Sequence, residues 1–158
     1  MTTVYLGLGS NLGERRGHLA AAVERLRAAG FGVTSESSIY ETEPRDEPNQ
    51  PWFLNQVIEA ETDLSPRQLL ARVKQIEREM GRRRTVPKGP RPIDIDILLF
   101  EDAIVQAPDL EIPHPRMGER RFVLEPLAEL APGLRHPVTR QTVREMLAPV
   151  ANQPVRRL

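Results

Sequence analysis

The sequence predicts an α+β fold: a ferredoxin-like α/β sandwich in which an antiparallel sheet carries helices on its faces. Two observations predict it. Short period-2 apolar runs and stretches of helical period follow one another in the order β-α-β, β-α-β, which is the split βαβ arrangement. The 158 residues, 39% hydrophobic and only 4% aromatic, suffice for one compact domain with a core of Leu, Val, Ile and Ala. Residues 1–158 are therefore read as a single domain, with two helices covering one face of the sheet and a C-terminal extension beyond it.

The first strand is Val4, Leu6 and Leu8 alternating with Tyr5, Gly7 and Gly9, closed by the turn Gly9-Ser10-Asn11. Leu19, Val23 and Leu26 then recur at helical spacing within residues 14–29, and Gly30 ends the pattern. Asn11 reads as the cap of that helix, with Glu14 three residues on as its capping-box partner. Residues 31–42 and Phe53–Thr62 read as strands. Between them, residues 43–52 hold three prolines and no apolar period, a loop suited to covering a substrate. Ser65-Pro66 is a cap followed by proline at the first helical position, and Leu69, Leu70, Val73, Ile76 and Met80 mark a buried face that ends at Gly81. Residues 93–100 form another strand. Residues 101–121 are loop-rich, residues 122–130 read as a short helix broken by Pro126, and residues 152–158 are expected to be loosely held.

Composition removes several classes of function. No cysteine is present, so neither a disulfide framework nor a zinc site built on thiolates is available, and a reducing, cytoplasmic setting is expected. No apolar run approaches the roughly 20 residues of a membrane span, and the first ten residues lack the basic start of a secretory leader. With 22 basic and 22 acidic side chains, bulk attraction to nucleic acid or to an anionic membrane is not expected. Functional charge must then be locally segregated.

Segregated charge is found at residues 82–91, Arg-Arg-Arg-Thr-Val-Pro-Lys-Gly-Pro-Arg, with five basic residues and no acidic one. Taken alone it is a solvated helix end, where cations complement the macrodipole. The strand that follows changes the reading. Asp94 and Asp96 are two apart, so they share one face at about 6–7 Å between Cα atoms, while Ile93, Ile95 and Ile97 take the other. Two carboxylates on one face need solvent, arginine or a divalent cation between them, and Mg²⁺ takes one or two carboxylates and completes its shell with water and phosphate. With Arg82, Arg84 and Arg91 beside them, these are the parts of phosphoryl-group transfer. The alternative is a polar strand face in ordinary salt bridges.

Other features are weaker. Gly9-Ser10-Asn11-Leu12-Gly13 is not a Walker loop. Asn55 reads as an exposed strand residue, or if buried as one whose hydrogen-bond partners a heterocyclic ligand could supply, and Phe53 and Phe122 as core residues, with a stacking slot for a flat ligand as the second reading. His114 lies between Pro113 and Pro115, which stiffen its backbone, whereas His18 and His136 have no such setting. Arg116, Arg120 and Arg121 form a second basic cluster beside Phe122.

The chain resembles the 6-hydroxymethyl-7,8-dihydropterin pyrophosphokinase family of folate biosynthesis. The resemblance rests on Gly9-Ser10-Asn11-Leu12-Gly13, Tyr40-Glu41-Thr42-Glu43-Pro44, Gln50-Pro51-Trp52-Phe53-Leu54-Asn55, Gly89-Pro90-Arg91-Pro92-Ile93-Asp94-Ile95-Asp96-Ile97-Leu98, and Pro113-His114-Pro115-Arg116-Met117 with Arg120-Arg121-Phe122, in family order. It implies a monomer with a ferredoxin-like core that moves a pyrophosphoryl group from ATP to the hydroxymethyl oxygen of the reduced pterin, releasing AMP. It implies Asp94 and Asp96 as carboxylates for two Mg²⁺ ions. Arg82 and Arg91 would neutralise phosphate, with Arg84, His114, Arg116 and Arg120 completing the ATP contacts, Glu77 near the nucleotide and the Ile97 backbone at the adenine. Phe53 and Phe122 would sandwich the pterin, with Asn55, Thr42 and the backbone around Pro44 and Arg45 reading its edge and Asp94 beside it. On this resemblance the two rings are ligand walls rather than core.

Departures from the family pattern stand at Arg45-Asp46, at Pro87-Lys88 in place of an Arg-Trp pair, at Lys74, and at Asp109 and Glu111, onto which no role is carried. Two other classes of function use the same features. A nucleic-acid module would use residues 82–91, yet no strand interleaves aromatics and net charge is zero. A Mg²⁺-dependent phosphohydrolase would use the same Asp pair without a pterin.

Overall fold

The computed structural model describes residues 1–43, 49–81 and 91–158. Arg82, Arg84, Pro44 and Arg45, like Asp46, Pro87 and Lys88, lie outside the described residues. Strand β1 (Thr2–Ser10) leads into helix α1 (Arg15–Ala28), which Gly30 ends in a left-handed conformation at φ 96°. Strands β2 (Gly32–Glu36), β3 (Tyr40–Thr42) and β4 (Phe53–Thr62) follow, then α2 (Pro66–Glu79) and β5 (Asp94–Phe100). The sheet order is β5-β1-β4-β3, with β2 also paired to β4, and every pairing is antiparallel. This is the split βαβ layout that the order of patterns predicts. Beyond it come a small hairpin of β6 (Val105–Ala107) and β7 (Leu110–Ile112), helices α3 (Arg121–Leu130) and α4 (Val143–Leu147), and β8 (Arg156–Arg157). Among the described residues no helix is long and apolar enough to cross a membrane.

Parity sorts the side chains into two cores. Leu6, Leu8, Leu54, Ile58, Ile95 and Ile97 point under α1 and α2, joining Leu26, Leu69, Val73 and Ile76. The opposite face carries Tyr5, Val57 and Leu98 under α3 and α4, with Leu124, Leu127 and Met146. The expectation of two helices on one face therefore describes half of the sandwich; the C-terminal extension supplies the other layer. At Leu98 the β1–β5 register shifts, so Leu6 faces Ile97 while Tyr5 faces Leu99. The extra residue lets Leu98 and Leu99 both join the second core, and the Leu98 carbonyl accepts from His114 N at 3.0 Å.

Several local expectations change. Residues 31–42 are two strands, because at Ser37 the side-chain Oγ accepts from Val57 N (2.9 Å), in place of a ladder carbonyl. Pro126 does not break α3; the helix runs through it to Leu130, with Pro126 buried against the second core, so packing outweighs the lost backbone bond. The α2 cap is as predicted: Ser65 Oγ accepts from Gln68 N at 3.2 Å, and Gln68 Oε1 accepts from Ser65 N at 2.9 Å. The α1 cap is not, since Glu14 stands at the cap position without a side-chain bond and Asn11 is used elsewhere. Nor are residues 152–158 loose: Arg156 and Arg157 pair with Glu41 and Tyr40, and Leu158 N donates to Ile39 O at 2.9 Å.

Two carboxylates lock β3 in place. Tyr40 Oη and Ser38 Oγ both donate to Glu129 on α3, and Arg15 and Arg156 both donate to Glu41. Burial acts to raise both glutamates, but these donors outweigh it and hold each below the usual carboxylate range. A depressed folded-state value stabilises above the unfolded glutamate pKa and loses that contribution as pH falls through the folded one. The urea midpoint is accordingly expected to drop between pH 6 and pH 3. Glu129→Gln should lower the unfolding free energy at pH 6 by about 1 kcal/mol and flatten the acid limb; an unchanged acid limb would contradict the role given to Glu129.

Candidate active site between the sheet and the third helix

Register assembles the site. On the face turned toward α3, Gly9 of β1 stands between Asp94 of β5 and Asn55 of β4, and Gly7 stands between Asp96 and Val57. Two glycines in the middle strand leave a trough with carboxylates along one bank and an amide along the other. A Cβ at Gly9 would touch Phe53 at 3.6 Å and crowd Asn55 Oδ1 at 3.3 Å, so a side chain here would push the Asn55 amide by a few tenths of an ångström. One cavity of about 120 Å³, open to solvent, occupies the trough. Thr42, Phe53, Asn55, Arg91, Asp94 and Asp96 line it from the sheet side, and Arg116, Arg120 and Phe122 from the segment entering α3.

Each wall has a distinct chemistry. Asn55 is 7% exposed, not solvent-facing as strand polarity suggests, and its Nδ2 donates to Thr42 Oγ1 at 2.8 Å. The pair makes a fixed polar floor to the cavity. Phe53 and Phe122 both line the cavity, Phe53 with the Arg91 guanidinium carbon 5.0 Å from its ring centre and Phe122 with that of Arg120 at 5.4 Å. Both rings are half-buried cavity walls rather than buried core residues, although Phe122 also packs against the second core. Asp94 and Asp96 are half-buried, and Asp94 Oδ2 lies 3.7 Å from Arg91 Nε.

The donor set fits Mg²⁺. Two aspartates two apart offer hard oxygen ligands to an open cavity. Among the described residues no group of three or more His, Cys, Asp or Glu could hold a metal, so a cation here would draw its remaining ligands from water and substrate oxygens.

Not every residue singled out in the sequence lies in this cavity. Glu77 is 4% exposed on the far side of β5, where its Oε2 accepts from Ile95 N at 2.8 Å. Ile97 turns its side chain into the first core. By strand alternation its backbone N–H and C=O face the same way as those of Ile95, away from β1 and toward the sheet edge, where no further strand pairs among the described residues. His114 lines an adjoining cavity with His136. Its Nδ1 accepts from Arg116 N at 3.2 Å, which leaves Nε2 as the protonated nitrogen of a neutral ring. Burial, with Arg120 and Arg116 outweighing Asp94, pushes His114 below the ordinary histidine value. Asp109 is engaged elsewhere, both carboxylate oxygens accepting from Arg67 Nη1 at 2.7 Å.

Sequence reasoning missed the role of Asn11. It has no exposed surface; its Nδ2 donates to Gln50 Oε1 (2.7 Å) and Pro51 O (3.2 Å), its Oδ1 accepts from Arg91 N (2.8 Å), and its own N donates to Arg91 O (3.2 Å). One amide thereby joins the β1–α1 turn, the run into Phe53 and the run into Asp94. The trough glycines were also missed, although their alternation with Leu6 and Leu8 is the signal that would have found them.

Two outcomes follow for these side chains. Asn11→Ala leaves several buried polar groups without partners and should cost about 1–3 kcal/mol in urea unfolding with an unchanged m-value; no loss would show that the three segments are held by other contacts. In an NMR titration, His114 should change charge below pH 6.5 and be neutral at pH 7, and a midpoint above 6.5 would refute the electrostatic account.

The chain is similar to known proteins along most of its length. Residues 5–132 match the family model for 7,8-dihydro-6-hydroxymethylpterin-pyrophosphokinase (HPPK). The 2-amino-4-hydroxy-6-hydroxymethyldihydropteridine pyrophosphokinase of Methylorubrum extorquens is 47% identical over 149 residues, covering 94% of this chain and 93% of that one. The folic acid synthesis protein of Schizosaccharomyces pombe is 44% identical over 153 residues, or 96% of this chain, but the chain spans only 21% of its length. Among solved structures, wild-type HPPK-DHPS of Plasmodium falciparum superposes with a TM-score of 0.73 at 17% identity, covering 94% of this chain and 41% of that one, a likeness of fold.

Proposed function

The chain belongs to the 7,8-dihydro-6-hydroxymethylpterin-pyrophosphokinase family, and on that premise we propose that it transfers pyrophosphate from ATP to 6-hydroxymethyl-7,8-dihydropterin. The observation that carries the reading is one cavity in which an Asp pair and three arginines meet an amide floor between two phenylalanines. Anion-holding and heterocycle-holding groups share one trough, as a reaction between a nucleotide and a flat alcohol requires.

In this scheme the pterin stacks between Phe53 and Phe122, with Asn55 and Thr42 reading its polar edge. Its hydroxymethyl oxygen attacks the β-phosphorus of ATP. A bond forms between that oxygen and the β-phosphorus, the bond from the β-phosphorus to the α,β-bridging oxygen breaks, AMP departs with that oxygen, and the hydroxyl proton is released. Asp94 and Asp96 would hold two Mg²⁺ ions, which when bound neutralise and align the phosphate oxygens. Arg91 and Arg120 present guanidinium groups to the migrating phosphates, and Arg116 adds a third. His114 is a neutral hydrogen-bond donor through Nε2 at the edge of the nucleotide site. The Ile97 backbone, on the edge of β5 away from β1, is suited to pair with adenine, and Glu77 fixes that edge by binding Ile95 N from behind. Arg82, Arg84, Pro44 and Arg45 keep the roles implied by the resemblance. Catalysis on this account is positioning and charge neutralisation, with no covalent enzyme intermediate. The proposal includes action as a monomer in the cytoplasm, on small molecules and without nucleic acid or membrane.

The test is AMP release from MgATP with and without the pterin. Release should depend on the pterin, and Asp94→Ala or Asp96→Ala should lower kcat by about a thousandfold or more with the fold retained. Phe122→Ala should act chiefly on the pterin KM. Full activity in both Asp variants would remove the metal assignment.

A further inference from the structure

Arg120 stands at an unusual place in the chain. It is the extended residue, at φ −123° and ψ 108°, between a 3-10 turn over Met117–Glu119 and helix α3, and its side chain makes no cap bond to the helix it precedes. The first N–H of α3 is satisfied from a distance. Gln153, 32 residues on, accepts from Arg121 N through Oε1 at 2.9 Å. The same amide donates from Nε2 to Glu119 O at 2.8 Å, and the Gln153 carbonyl accepts from Arg121 Nη1 at 2.8 Å.

These bonds have a geometric consequence for Arg120. The Glu119 carbonyl belongs to the peptide plane before Arg120, and the Arg121 N–H to the plane after it. Two planes meeting at one Cα define its φ and ψ, and these set the direction of its Cα–Cβ bond. One side-chain amide thus holds both planes and aims Arg120 into the cavity, with its guanidinium over Phe122. Gln153 is itself anchored: its N donates to Val150 O at 3.0 Å, and the strand just after it pairs with β3, which ends at Thr42 on the other wall. It also lies outside the segment that matches the family model.

We propose that Gln153 is a positioning residue for pyrophosphoryl transfer, acting through Arg120. The inference rests on the reaction proposed above. It is tested by a double-mutant cycle on kcat/KM for MgATP. Gln153→Ala should lower kcat/KM about tenfold in the parent protein, mainly by raising KM, and less than twofold when Arg120 is already alanine. A loss of equal size in both backgrounds, a fall in kcat with KM unchanged, or no loss at all overturns it. If Gln153→Ala does not fold, Gln153→Glu keeps the acceptor for Arg121 N and replaces the donor to Glu119 with a charged oxygen; it carries the same cycle at high and low salt, where coupling that survives high salt supports the positioning and coupling lost with salt overturns it.

A parallel cycle on the dissociation constant of an ATP analogue with a methylene bridge between the α- and β-phosphorus, bound with Mg²⁺, separates the two claims. If the parent protein makes no AMP yet this cycle shows coupling, the reaction is wrong and the positioning stands. Additive effects on binding in a protein that does make AMP overturn the positioning alone.

Discussion

Strand register is the constraint on which the site depends. Because β1 pairs with β5 on one side and β4 on the other, Gly9 falls between Asp94 and Asn55, and Gly7 between Asp96 and Val57. Side chains alternate at period two, so a one-residue slip of β5 would turn both aspartates into the apolar core and bring Ile95 and Ile97 to the trough. The hydrophobic faces under α1 and α2 forbid that slip. Burying Leu6, Leu8, Ile95 and Ile97 is therefore also what orients the carboxylates.

The second layer has a different task. Helices α3 and α4 fill the trough side of the sheet near Tyr5, Val57 and Leu98 but leave it open beside the glycines. Phe122 enters from the first turn of α3, where a helix end meets the cavity. The Glu129 bonds to Tyr40 and Ser38 hold the other end of α3 to the sheet. Asn11 does the same for the segments that arrive at Phe53 and at Asp94. The groups that line the cavity are thus held by polar bonds between segments distant in sequence, with little backbone freedom left at Arg91 and Arg120.

Much of this was legible in the sequence. The alternation at Val4, Leu6 and Leu8, the Ser65-Pro66 cap and the Asp-x-Asp strand each carry a local signal, and the structure has each of them where that signal puts it. Asn11, Asn55 and Gln153 were not legible, for one physical reason. An amide is indifferent locally: Asn11 fits a helix cap as well as a three-way junction, and only partners 39 and 80 residues away decide between them. Pro126 misled because its local cost is real but is outweighed by packing into the second core. Phe53 and Phe122 look like core residues by periodicity, and the register that opens a cavity between them cannot be read from either segment alone.

The central claim is a transfer of two phosphorus atoms together to a pterin alcohol. Phosphorus NMR of a mixture of enzyme, MgATP and 6-hydroxymethyl-7,8-dihydropterin reads it directly. The account predicts that ATP resonances are replaced by the AMP singlet and two mutually coupled resonances of a new diphosphate monoester, in equal amounts. Accumulation of inorganic phosphate or of ADP, with no such ester, would contradict it.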